Sequence, residues 1–354
     1  MENGLMPIGH EDRDIAIRYG VGPFTFLRKI MRMRVVLTHF TELAAHPAHQ
    51  QFSIEDVPHD VQGLAVYACP VSEVLPRVAR VDGALRFVTA QFRQDYVDLS
   101  GDFAGYLGKF SSKSRQTLNR KVRKFKEYCG EGFGWRVCRL PAEMAEFHTL
   151  AREVSAKTYQ ERMHEAGLPE GQQYVDWLVE EAARDAVRGY LLLNGAMPVA
   201  YVLCPIVQGI LVYKYLGFDP EYSDLSPGTV LHYLMLESLF SERAFKMLDF
   251  TMGEGEHKRF FANGSVDCAN MLFLRPTVGA RVAIASKVAS DALSAVIGKT
   301  LQIAGVKSRI RRLLRGQRTG LPPEAAGSRQ ADQTAVQKPR AISNVNQSQR
   351  PLQK

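Results

Sequence analysis

The chain has 354 residues, 45% of them hydrophobic, and a net charge of +8. That length allows two domains and a tail, and the apolar content supports a buried core. The charge is concentrated: Lys307–Lys354 holds eleven basic and two acidic residues, so the first 306 residues are close to neutral, which argues against a nucleic-acid-binding body. The five cysteines, Cys69, Cys129, Cys138, Cys204 and Cys268, are widely spaced and never form a C-x-x-C pair. No disulfide framework or metal site is expected, and a reducing cytoplasm suits them. His46 and His49 have no acidic or cysteine partner nearby and read as loop. Arg28, Lys29, Arg32 and Arg34 interrupt the first hydrophobic runs, so no signal sequence is expected.

In chain order, residues 1–20 are polar and read as a flexible N-terminus. From 21 to 130 the apolar groups come in short pieces, Met33–Leu37, Gly63–Tyr67 and Ala84–Val88, separated by Pro, Gly and Asp, which predicts a small α/β unit. It ends in a basic helix. Eight of the 18 residues from Lys109 to Lys126 are basic and none is acidic, while Leu118, Val122 and Phe125 recur at helical spacing. One face is therefore cationic, either as a solvated face or as a contact for an anionic ligand. Phe133–Cys138 reads as a strand, followed by helices over 142–162 and 170–188 with Gly167 and Pro169 between them.

Gly189–Tyr213 contains no Asp, Glu, Lys or Arg over 25 residues. Its length would suit a membrane-spanning helix, but Asn194-Gly195, Pro198, Pro205 and Gln208-Gly209 punctuate it as turns. Three antiparallel strands are expected, 189–193, 198–206 and 210–218. In the third, Leu211, Tyr213 and Tyr215 share a face. Ser226-Pro227-Gly228 then predicts a capped helix start, with Pro227 at the first helical position and Ser226 as its cap. The helix runs to about Arg243. A strand follows at 246–250, a polar turn, a short helix around 259–262 and a last strand at 271–275. Residues 279–316 read as an amphipathic, basic helical segment through Ile284, Val288, Val296, Ile297 and Leu301, and 317–354 as a disordered tail.

The order β, α, α, β, β, β, α, β, short α, β, with Tyr-Leu-Gly-Phe-Asp-Pro-Glu-Tyr at 215–222, Ser-Pro-Gly at 226–228 and Asp-Phe-x-x-Gly-x-x-x-x-Lys at 249–258, resembles the GNAT superfamily. More narrowly it resembles the branch associated with bacterial cellulose and exopolysaccharide synthesis, related to the Fem peptidyltransferases. The likeness implies an α+β fold over 131–278, a mainly antiparallel sheet flanked by helices, preceded by a smaller α/β domain, whether an independent unit or a degenerate repeat of the same kind. It implies an acyltransferase that takes acyl-CoA, acetyl-CoA in the first instance, as donor and an amine or hydroxyl, such as a glycan-linked group, as acceptor. The superfamily's Arg/Gln-x-x-Gly-x-Gly/Ala phosphate loop is absent, with one glycine where two small residues are expected.

The start of the 228–243 helix offers backbone N–H groups at Gly228, Thr229 and Val230 to the donor's phosphates, with Ser226 beside them. By resemblance Asp249 acts as base or orients one, and Lys258 meets charge developing on the carbonyl oxygen. Tyr215 or Tyr213 would protonate the leaving thiolate, and Glu254, Glu256 and His257 are further candidates. Two rivals stand beside this reading, a Fem-like transferase using aminoacyl-tRNA and a non-catalytic module of a polysaccharide synthase. Ile310, Leu313 and Leu314 among Lys307, Arg309, Arg311, Arg312 and Arg315 suggest peripheral contact with the inner face of the cytoplasmic membrane.

Overall fold

The computed structural model describes residues 9–21, 24–45, 52–55, 57–158, 167–253 and 255–303. His46, His49, Glu254 and the basic segment at 307–316 lie outside the described residues. Among the described residues there are twelve strands: β1 Gly9–Val21, β2 Phe24–Leu37, β3 Gly63–Pro70, β4 Val78–Val81, β5 Ala84–Asp98, β6 Phe133–Cys138, β7 Val187–Asn194, β8 Met197–Val207, β9 Ile210–Val212, β10 Tyr215–Phe218, β11 Met247–Asp249 and β12 Gly264–Leu274. They join one sheet in the order β1-β2-β3-β12-β5-β11-β9-β8-β7-β6, with β4 on β5 and β10 on β8. Every pairing is antiparallel except β2 with β3 and β9 with β11. The fold is a mixed α+β one with a mainly antiparallel sheet flanked by helices.

The charge-free run forms strands because its turn residues sit where the chain reverses. Gly195 has φ +61 and Gln208-Gly209 has φ +53 and +77, conformations that a helix does not contain. β7 is buried along nearly its whole length, since helices cover both of its faces. On one face lie Pro141–Lys157 and Gln172–Ala183, whose Met144, Phe147, Val154 and Leu178 share a core with Leu191 and Leu203. On the other lies Pro227–Glu242, with Leu231, Met235 and Leu239 against Tyr190, Val202 and Leu211. The basic helix, Ser112–Cys129, joins that second core through Leu118 and Phe125, as its spacing predicts.

Two expectations need correction. Residues 9–21 are not frayed: Gly9–Val21 is a strand paired along β2. Ile17 and Tyr19 bury against the helix Val278–Ile303, where the Tyr19 hydroxyl donates to Ala283 O at 3.1 Å. Asp12 takes a two-pronged bond from Arg34 across the ribbon, at 2.8 and 2.9 Å. Along residues 278–297 of the helix Val278–Ile303 the buried residues are Ala280, Ala283, Ile284 and Ser290, while Val296 and Ile297 are exposed. The second correction concerns the division at residue 130. β5 lies between β11 and β12, so the N-terminal residues and the later ones share one sheet.

Gly189 shows how closely the layers meet, because a Cβ there would stand 2.6 Å from the ring of Phe147. Gly189→Ala is expected to destabilise the fold by about 1–3 kcal/mol through overpacking. Denaturant unfolding of both proteins checks this, and an unchanged midpoint would show that the layers give way.

Candidate active site

The site is set by the point at which two parallel strands part. β9 pairs with β11 over Ile210–Val212 and Met247–Asp249, and Tyr213 N extends the pairing by donating to Asp249 O at 2.8 Å. Beyond that bond the strands diverge. β10 pairs with β8 alone, while the chain after β11 turns to β5, Phe250 N donating to Asp95 O at 3.1 Å. The expected single strand over 210–218 is therefore interrupted at Tyr213-Lys214, which reverses the faces that follow. Tyr213 lies in the core under Pro227–Glu242, whereas Tyr215 faces Tyr174 on the other side of the sheet. The two tyrosines do not share a face, and Tyr215 is not brought together with Asp249 and Lys258.

Asp249 ends β11 and is 5% exposed. Its Oδ1 accepts from Thr251 N at 2.8 Å and from Gln94 Nε2, and its Oδ2 lies 3.2 Å from His39 Nε2. Three neighbouring groups thus fix the orientation of this carboxylate. Lys258, in the short helix Glu256–Phe261, donates to Thr251 O at 3.3 Å and Met252 O at 3.2 Å. Burial lowers its ammonium from the ordinary lysine range, and Asp249 and Asp95 act against that shift. Asp249 and Lys258 thus belong to one cluster, joined through the turn at Thr251. Glu256 is exposed at the start of the short helix.

A second cluster surrounds Tyr213. The ring of His232 lies 5.0 Å from Tyr213 and 5.7 Å from His257, and it stacks on Phe261 at 5.1 Å. His232 Nδ1 is 2.7 Å from Gly228 O, so this nitrogen carries the proton and donates. The other nitrogen, Nε2, and the Tyr213 hydroxyl are buried without a hydrogen-bond partner. His257 is an exposed residue whose ring is still partly desolvated, and this and Lys258 lower it from the usual imidazole range.

The start of Pro227–Glu242 differs from expectation. Ser226 adopts the left-handed conformation, φ +53 and ψ 49, and its side chain makes no capping bond. Its carbonyl accepts Thr229 N at 2.9 Å and Val230 N at 3.2 Å, which leaves the Gly228 N–H as the one of the three with no acceptor among the described residues. Cations close the gap. The basic helix packs against this end, placing Lys121 Nζ 3.4 Å from Thr229 Oγ1 and Lys124 Nζ 3.1 Å from Asp224 O. Lys109 is turned inward instead, where it caps the short helix by donating to Phe261 O at 2.7 Å and to Ala262 O. Burial brings its ammonium down to about 8.

Sequence reasoning missed His39, Gln94 and His232. His39, between β2 and the helix Phe40–Ala45, and Gln94, in β5, lie in segments that offer no local pattern of their own, and only the pairing of β5 with β11 brings Gln94 near Asp249. His232 stood in a helix whose apolar stripe drew attention away from it. A cavity of about 360 Å3 lies elsewhere, between Val137, Arg139, Ser238, Ser241 and Glu242. Among the described residues no group of three or more His, Cys, Asp or Glu could hold a metal, and no helix is long and apolar enough to cross a membrane.

Burial, opposed by the bond to Gly228 and aided by His257, brings the His232 imidazole down to about 4 from an ordinary 6.5. The unfolded chain gains this proton as the pH falls through 6.5, and the folded chain gains it only near 4. Stability should therefore decline between those values, by something on the order of 3 kcal/mol from this group. His232→Gln, which cannot titrate, is expected to flatten that part of the melting-temperature profile. Parallel profiles for the two proteins would contradict the assignment.

Residues 112–259 match the family model described as the acetyltransferase (GNAT) domain. None of the curated proteins matches the chain. Among solved structures, FemX is 10% identical, covering 75% of this chain and 88% of its own at a TM-score of 0.44. L-PGS from Bacillus licheniformis is 14% identical, with coverage of 73% and 85% and a TM-score of 0.43. A GCN5-related N-acetyltransferase from Kribbella flavida is 11% identical, with coverage of 75% and 90% and a TM-score of 0.33. The matched stretch, residues 112–259, spans the parted strands and the helix between them.

Proposed function

We propose that the protein transfers an acyl group from an acyl-CoA, acetyl-CoA in the first instance, to an amine or hydroxyl acceptor. The observation that carries this reading is the meeting of Lys121 and Lys124 with the start of Pro227–Glu242. The Gly228 N–H, the Thr229 hydroxyl, two ammonium groups and the positive end of the helix dipole converge on one small surface. This suits a donor's phosphates. The sequence lacks the usual two-glycine phosphate loop, and the lysines of the basic helix supply the charge that such a loop would otherwise complement with amides.

The chemistry follows from the neighbouring clusters. The acceptor nitrogen or oxygen attacks the thioester carbonyl, the C–S bond breaks, and the proton lost by the acceptor balances the one gained by the thiolate. Lys258 would meet the negative charge on the carbonyl oxygen. Asp249, held by three neighbouring groups, suits an orienting role better than that of base. Tyr213 and His257, beside the parted strands, are better placed than Tyr215 for proton transfer. Resemblance to the exopolysaccharide branch favours a glycan-linked acceptor, and the basic segment at 307–316 would bring the enzyme to a membrane where such acceptors are made.

The same cationic face supports a second reading, an aminoacyl-tRNA donor, because Lys113, Arg120 and Arg123 remain exposed on the basic helix. Titration of the full chain with CoA, acetyl-CoA and bulk tRNA separates the two. Lys121→Ala and Gly228→Val are expected to weaken CoA binding by about 10-fold or more, the scale of one lost charge-assisted contact. Gly228→Val should leave the fold intact, since a Cβ there meets only Phe218, at 3.7 Å. Wild-type CoA affinity in both variants would contradict the site, and tRNA binding without CoA binding would select the second reading. With an active acceptor in hand, Lys258→Ala should lower turnover by about 100-fold or more.

A further inference from the structure

Asp249 is contacted by a residue that lies outside the matched stretch. His39 follows β2 and stands at the start of the short helix Phe40–Ala45, where its carbonyl accepts Glu42 N at 3.1 Å. Its Nδ1 accepts the Thr41 N–H at 3.3 Å and lies 2.9 Å from Thr41 Oγ1. With Nδ1 acting as acceptor, the ring proton resides on Nε2, which faces Asp249 Oδ2 at 3.2 Å. Both side chains are buried, at 9% and 7% exposure. Gln94 grips the other carboxylate oxygen from β5.

The consequence passes along the chain from Asp249. Its Oδ1 accepts the N–H of Thr251, a β-branched residue held at φ +59. Such residues rarely adopt this conformation, and it persists only where neighbours impose it. The carbonyls of Thr251 and Met252 in turn receive Lys258 Nζ. An uninterrupted set of hydrogen bonds therefore runs from His39 through Asp249 and the strained turn to the Lys258 ammonium.

We propose that His39 is a positioning residue: its Nε2–H fixes the Asp249 carboxylate, which holds the Thr251 turn and so aims Lys258. The catalytic meaning of this rests on the acyl-transfer reading above, whereas the positioning itself does not. The N-terminal strands would then complete the site of the matched stretch.

Two substitutions isolate the Nε2 bond. In His39→Asn the amide oxygen can still accept the Thr41 N–H, as asparagine does at helix starts, but the side chain is too short to reach Asp249. In His39→Gln the amide N–H can extend to about the Nε2 position. Native full-length proteins would be pulse-labelled with N-acetoxysuccinimide, an amine-acylating reagent, and Lys258 modification followed by peptide mass spectrometry. Labelling should rise several-fold in His39→Asn and stay near wild type in His39→Gln. Lys157, paired with Asp219 at 2.6 Å in the other part of the molecule, should not change. Equal labelling of Lys258 in all three proteins would overturn the proposal. So would a matching rise at Lys157, which would mark general loosening, or a failure of glutamine to restore protection. Because the labelling needs no substrate, absence of transferase activity would count against the acyl-transfer reading alone. Where activity is measured, His39→Asn should lower kcat with donor KM unchanged, and should add nothing in a Lys258→Ala background.

Discussion

The structure depends on the insertion of β5 between β11 and β12. Tyr96 of this strand pairs with Asp249 on one side and Gly264 on the other, so a single residue sets the register of both. The same strand supplies Gln94 to the Asp249 carboxylate and Asp95 O to Phe250 N. Without it β11 would have three residues and one short parallel partner, too little to fix a buried carboxylate. The polar centre is thus a product of long-range strand pairing.

Charge in this molecule is used in two ways. Near the short helix Glu256–Phe261 cations satisfy backbone carbonyls: the exposed Lys109 closes the end of that helix, and the half-buried Lys258 occupies the carbonyls of the Thr251 turn. Along the basic helix they reach the start of Pro227–Glu242 instead, Lys121 at Thr229 Oγ1 and Lys124 at Asp224 O. The short helix is fixed at its C-terminal end by Lys109 and the Tyr106 hydroxyl, both bonded to Phe261 O at 2.7 Å. The segment carrying Lys258 is therefore anchored by the N-terminal residues at both ends.

Much of the fold was legible from local signals. Turn residues within the charge-free run placed β7, β8 and β9, and Pro227-Gly228 marked the start of the long helix to the residue. What could not be read arises from non-local contacts. Ser226 looks like a cap, but its left-handed backbone directs its carbonyl, not its hydroxyl, at the first turn. Alternation made Tyr213 and Tyr215 seem equivalent, and the interruption at Lys214, whose N–H bonds to Leu203 O at 3.2 Å, separates them. Asp249 and Lys258 were reached through resemblance alone. His39 and Gln94 were out of reach, being separated from Asp249 by 210 and 155 positions.

Backbone hydrogen exchange on the full chain, with and without saturating CoA, tests the central claim most directly, because it reports where the donor sits without requiring an acceptor. The account predicts slowed exchange at Gly228, Thr229 and Val230 together with the part of the basic helix around Lys121 and Lys124. Protection confined to other surfaces, such as the cavity beside Val137 and Ser238, would contradict it.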